Sequence, residues 1–215
     1  MKKPIKIYLC DLTYDTMILV SDTIPINIGF ISSYVKSKLG EKVIIELFKY
    51  PNELLKKIKS DPPDILGLSN YSWNSNLSEY FAKLTKELNS DCIVIQGGTN
   101  FPHTQEEQKN FLLNRPNTDL YVLFEGEKST LGVVERYLDV QKNLKSFFDK
   151  PIDGCTFIDP KTRNTKESKL ITGNYLQRIK DLDEIPSPYL NGTLDKFFDG
   201  RLTPFIETNR GCPFT

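Results

Sequence analysis

Five short apolar runs rich in β-branched or aromatic residues recur through the first part of the chain: IKIYL, KVIIELF, DILGLS, CIVIQ and DLYVLF. Each gives way to a polar or glycine-containing turn, and in most cases a helical period follows. After the first run, Asn27 can cap a helix that carries Ile28, Ile31, Val35 and Leu39 on one face, and Gly40 stops it. After the third, Leu77, Tyr80, Phe81, Leu84 and Leu88 form the same kind of stripe, and after the fifth Leu131, Val134 and Leu138 do so again. Strands that alternate with helices have few ways to pack. Parallel pairing with crossover helices predicts an α/β fold: a Rossmann-like (flavodoxin-like), doubly wound parallel sheet of five strands, helices on both faces, filling residues 1–139.

The remainder differs in kind. Residues 140–180 are charged and turn-rich, and read as a linker with a small β hairpin in which GCTFI pairs with SKLIT across a long polar connection. Residues 181–215 begin with DLDEIPSPYL, whose two prolines fix an extended path, and LTPFIET reads as one more buried strand. From about Asp181 onward the segment is expected to be weakly anchored or to pair with another molecule.

Composition narrows the class. The 28 Lys plus Arg cancel the 28 Asp plus Glu, so the chain carries no net positive field for a phosphate backbone, and nucleic acid is excluded as a main partner. No apolar run approaches the roughly 20 residues that span a bilayer, and the amino terminus does not read as a signal peptide. A cytoplasmic protein with no membrane partner is the expectation. Cys10, Cys92, Cys155 and Cys212 lie far apart with no C-x-x-C pair, which argues against a disulfide framework or a self-contained zinc site and predicts mostly buried thiols.

Ligands of open α/β sheets sit beyond the carboxyl ends of the strands. There the third strand runs into SNYSWN, the fourth into QGGTN and the fifth into FEGEKST. Ser69, Gly97, Gly98 and Gly126 let a backbone approach a ligand closely, and together they would line one edge. Each has an ordinary alternative: Gly97 and Gly98 as a tight turn, Asn74 as a helix cap, Trp73 as a packing residue, Glu125 and Glu127 as complements to a helix dipole. A dinucleotide fingerprint is missing, since the first strand leads into CDLTYD, and no G-K-[ST] occurs.

The succession of a P-x-x-x-G-F-I helix, GLSNYSWN, IQGG, DLYVLFEGE, LDEIPSPYL and finally ETNRGCPF resembles the cobalamin-dependent radical S-adenosylmethionine enzymes. In that family a Rossmann-like cobalamin-binding domain precedes a partial barrel whose first strand ends in a C-x-x-x-C-x-x-C loop. The resemblance implies that Ser69, Asn70, Tyr71, Trp73 and Asn74, then Gly97, Gly98 and Thr99, then Glu125, Gly126 and Glu127 meet cobalamin. Phe124 stands where the family often has a polar or small residue. The resemblance also makes Cys212 the first cysteine of a cluster motif, interrupted here before its second cysteine. It implies that 181–215 open a truncated radical SAM domain, the missing barrel domain being a partner in the complete parent, with a four-iron four-sulfur cluster and S-adenosylmethionine as its further cofactors. A lone thiolate cannot hold such a cluster. The D-x-H-x-x-G motif that supplies a histidine to cobalt in the mutase and methionine synthase class is absent, and His103 is the sole histidine. A stand-alone flavodoxin-like binding or interaction domain is the alternative reading.

Overall fold

The computed structural model describes residues 3–16, 18–140 and 143–210. The five apolar runs form β1 (Ile5–Cys10), β2 (Val43–Phe48), β3 (Ile65–Ser69), β4 (Ile93–Gly97) and β5 (Leu120–Val122). They lie side by side in the order β2-β1-β3-β4-β5, and every pairing among them is parallel. The winding reverses between β1 and β3, which places a topological switch point there.

Period-two alternation divides the core in two. From β1, Ile5, Ile7 and Leu9 face a layer formed by α1 (Ile26–Leu39) and α5 (Gly126–Asp139), together with Ile65, Ile93, Ile95, Leu120 and Val122. Tyr8 and Cys10 face the opposite layer with Leu66, Leu68 and Val94, against α2 (Pro51–Ser60) and α3 (Ser75–Leu88). A further helix, α4 (Gln105–Leu113), covers Tyr121 through Leu112. Gly40 does end α1, at a φ of 52°. Asn27 does not cap it, because α1 starts one residue earlier and the Asn27 side chain accepts from the Ile28 N–H at 2.8 Å. On α3 the buried face centres on Ser78, Phe81, Ala82 and Thr85, which leaves Tyr80 and Leu88 exposed at the margins of the expected stripe.

The hairpin forms as read, between β6 (Cys155–Ile158) and β7 (Leu170–Thr172), with Phe157 opposite Ile171. It belongs to the main sheet. β6 runs antiparallel to β5, Tyr121 opposite Thr156 and Val122 opposite Cys155, so the sheet has seven strands. The reason lies in β6 itself, whose four residues are all buried: Cys155 and Phe157 enter the α1/α5 layer and Ile158 enters the layer beneath α4. A strand buried on both sides needs cover on both faces, which these two layers give once β6 pairs with the edge of β5. A short helix, α6 (Leu144–Phe147), precedes it.

Two expectations for the carboxyl-terminal segment are corrected. It is anchored: Ile179 and Ile185 pack on Tyr34, while Leu194, Phe197 and Leu202 join the core beside α1. LTPFIET is not a buried strand. Thr203 makes a single parallel bridge to Thr23, residues 204–210 have no regular structure, and Phe205 and Ile206 are exposed. Apart from that bridge the segment pairs with no strand among the described residues. Among the described residues, no helix is long and apolar enough to cross a membrane.

Candidate functional site

Beyond the carboxyl ends of β3, β4 and β5, a cleft of about 440 Å³ opens between the amino-terminal ends of α1 and α5. Its floor is set by side-chain size. On the strand face that looks toward α1 and α5, β3 presents Gly67 and Ser69 and β4 presents Gly97 where larger residues would fill the layer. Gly126 opens the side wall: a Cβ there would meet the Ile31 Cδ1 at 2.5 Å. Gly98 has a φ of +130°, and a Cβ there would lie 2.6 Å from the Asn70 carbonyl oxygen, so the turn after β4 requires glycine.

Ser69, Tyr71, Gly97, Gly98, Glu125, Gly126 and Glu127 all line this cleft. Four other residues singled out in the sequence do not. Asn74 is buried and braces the turn, donating to the Leu12 carbonyl at 3.2 Å and to Ser69 Oγ at 3.1 Å and accepting from the Tyr71 N–H at 2.8 Å. Asn70 is equally committed: it donates to Gln96 and accepts from Asn100. Trp73 stacks on Tyr71 with ring centroids 4.6 Å apart and planes 4° from parallel, on the outer side of the loop. Thr99 is exposed beside the rim. His103 is exposed and outside the cleft lining. Cys212 lies outside the described residues; Cys10, Cys92 and Cys155 are free and buried. Burial pushes the Cys155 thiol up to about 12, so it is not a thiolate at neutral pH. Among the described residues no group of three or more His, Cys, Asp or Glu side chains is placed to hold a metal.

Ser69 is fixed by a buried ionic network at the switch point. Its hydroxyl donates to Asp11 Oδ1 at 2.6 Å, and Asp11 Oδ2 accepts from Lys49 Nζ at 3.1 Å, which also donates to Ser21 Oγ at 3.2 Å. Lys49 is completely buried, so this ion pair has no solvent to fall back on. Desolvation, then the Asp11 charge, raises the Tyr71 phenol above its ordinary value and keeps it a neutral donor, although Tyr71 accepts from Asn27 Nδ2 at 3.3 Å.

The other wall was not legible from local pattern. Asn27, Ile28 and Phe30 come from α1, Phe124 from the turn after β5, and Phe205, Glu207, Asn209 and Arg210 from the carboxyl-terminal segment. Phe124 sits in the left-handed region, φ 57°, with an exposed ring 5.5 Å from that of Tyr175. Both glutamates of the FEGE turn are tied to the later segment. Glu125 accepts from the Ile179 N–H at 3.1 Å, and the nearly buried Glu127 accepts from Arg210 at 2.6 Å.

No family model matches the chain. It is 31% identical over 160 residues to 2-(S-pantetheinyl)-carbapenam-3-carboxylate methyltransferase of Streptantibioticus cattleyicolor, covering 71% of this chain and 21% of that protein. To the cobalamin-dependent radical SAM methyltransferase TokK of Streptomyces tokunonensis it is 28% identical over 159 residues, again 71% of this chain and 21% of the relative. The chain thus spans about a fifth of the length of these relatives. Its fold matches the cobalamin-dependent S-adenosylmethionine radical enzyme OxsB, solved with aqua-cobalamin and S-adenosylmethionine bound, with a TM-score of 0.66 and 22% identity over 99% of this chain and 28% of that one. The resemblance carried by the sequence motifs holds: homologues of this chain include a cobalamin-dependent radical S-adenosylmethionine methyltransferase.

Proposed function

We propose that the cleft between α1 and α5 binds cobalamin and that the chain is the cobalamin module of a radical S-adenosylmethionine enzyme. The observation that carries this is the floor of Gly67, Ser69 and Gly97 at the switch side of the sheet, walled by Gly98 and Gly126, in a homologue of such enzymes. The fit is physical. A space of about 440 Å³ accepts a nucleotide-sized arm, and the open mouth leaves a macrocycle outside, resting across the ends of the strands. Small residues allow backbone approach, and Ser69 and Tyr71 offer hydroxyls for orientation. Asp11, Asn70 and Asn74 hold the loops that present them.

Bound cobalamin would supply a cobalt centre that can carry a methyl group. The chain's own part is to bind and orient it and to keep water from the buried arm. His103, the sole histidine, does not line the cleft, so the described lining would offer a bound cobalamin no imidazole. The four-iron cluster and S-adenosylmethionine belong to the same reading: residues 181–215 lead toward a barrel domain, and Cys212 is one cluster ligand. Cys10, Cys92 and Cys155, buried in the sheet layers, are not placed to join it.

Titration with hydroxocobalamin, followed by visible absorption, is the test. Saturable binding with a shifted spectrum is expected, and His103→Ala should leave both affinity and spectrum unchanged. An unperturbed spectrum with no retention of cobalamin at saturation would remove the proposal.

A further inference from the structure

Arg210 reaches the cleft with one of its guanidinium nitrogens unpaired among the described residues. Its Nη2 donates to Glu127 Oε1 at 2.6 Å and its Nε to Glu207 Oε2 at 3.1 Å, while the guanidinium lies 5.2 Å from the centroid of the Phe30 ring. The side chain is 15% exposed. Nη1 is buried and has no hydrogen-bond partner among the described residues. Of the buried side-chain polar atoms without a partner there, it alone belongs to a residue that lines the cleft.

Two carboxylates and a ring face fix the planar fork in place, so the direction of the remaining donors is set before any ligand arrives. A buried charged donor left without an acceptor is costly, and natural sites rarely keep one without a use. Glu127, Glu207 and Phe30 line the same cleft, so the fork sits in its wall.

We infer that Arg210 is a ligand-binding residue of the cleft, with Nη1 donating to an oxygen acceptor of the bound corrinoid. This rests on the cobalamin reading. Two acceptors share the required chemistry: an amide carbonyl on the rim of the macrocycle and a phosphate oxygen of the nucleotide arm. Glu127 and Glu207 act through Arg210 as positioning residues.

The test uses the full chain as wild type, Arg210→Met and Arg210→Lys, each titrated with hydroxocobalamin and with dicyanocobinamide, which keeps the ring amides and lacks the nucleotide phosphate. Arg210→Met is expected to weaken hydroxocobalamin about tenfold, as loss of a charged hydrogen bond does. Weakening with both corrinoids assigns the acceptor to a ring amide, and weakening with hydroxocobalamin alone assigns it to the phosphate. Lysine can keep the ion pair with Glu127 yet lacks the forked donor. Arg210→Lys should therefore bind as poorly as Arg210→Met. Wild-type affinity in Arg210→Lys would show that Arg210 only tethers the segment, and would overturn the inference, as would equal affinities in all three chains. A wild type that binds neither corrinoid would overturn the cobalamin reading itself.

Discussion

Asp61, outside the lining of the cleft, is one carboxyl whose titration links stability to pH. The hydrogen bond from Lys6 holds its carboxyl below the ordinary carboxylate range, against the opposing effect of burial; the nearby positive charges of Lys6 and Lys57 act in the same direction as that bond. A carboxyl depressed in the folded state adds stability that is fully present above its unfolded pKa and is lost as pH falls through the lower folded value. Asp61→Asn should accordingly lower the thermal midpoint at pH 7 and converge with wild type in strong acid. Parallel melting curves at every pH would contradict this. At this scale the sequence was readable where one residue type carries the meaning. Ser69, Gly97, Gly98 and Gly126 were found because smallness after a strand has few uses, and Gly67 carried the same signal inside DILGLS. Asp11 and Lys49 were not legible, because 38 residues separate the two halves of their ion pair. The same holds for Arg210 and Glu127, 83 residues apart.

The five parallel strands were legible as elements because each is a β-branched run bounded by turn residues. The place of β6 was not. A run such as CTFI announces a strand without saying which edge will bury it, and its antiparallel pairing with β5 is a contact that the local pattern does not carry. The turn after β4 is the element on which the cleft depends most directly. At Gly98 a β-branched side chain would have to hold φ near +130° and would collide with the Asn70 carbonyl. Gly98→Val should cost about 1–3 kcal/mol in backbone strain, which in a chain of this size moves the melting midpoint down by roughly 2–12 °C. Binding of hydroxocobalamin should weaken with it, because the Asn70 and Gly98 backbones move together. Unchanged melting and unchanged affinity would show that the turn relaxes freely.

Across the whole molecule, residues 179–202 belong to the same hydrophobic body as the sheet. Ile179, Ile185, Leu194, Phe197 and Leu202 are buried, and each such side chain contributes about 1.5–3 kcal/mol on burial. Their sum rivals the ~5–15 kcal/mol by which a whole domain is stable. A chain ended after Arg178 should be insoluble or should melt without a cooperative transition, and a soluble, cooperatively folding 1–178 chain would refute this. Sequence pattern failed here because the segment has scattered apolar residues without a period; only contact with α1 gives them a common face. The bridge between Thr23 and Thr203 joins positions near opposite ends of the described chain, as do the bonds from the Ile24 N–H to the Thr203 carbonyl and from the Thr203 N–H to the Asp22 carbonyl. Contacts of that sequence separation close a long loop, whose entropy cost falls before the contacts reward it. On a ribosome the strands emerge in order and can pair as they appear, whereas this closure must wait until Thr203 has been made. The wall that Phe205, Glu207, Asn209 and Arg210 give the cleft is therefore made only after the five parallel strands have been synthesised, and a cofactor that enters earlier meets the sheet floor without that wall.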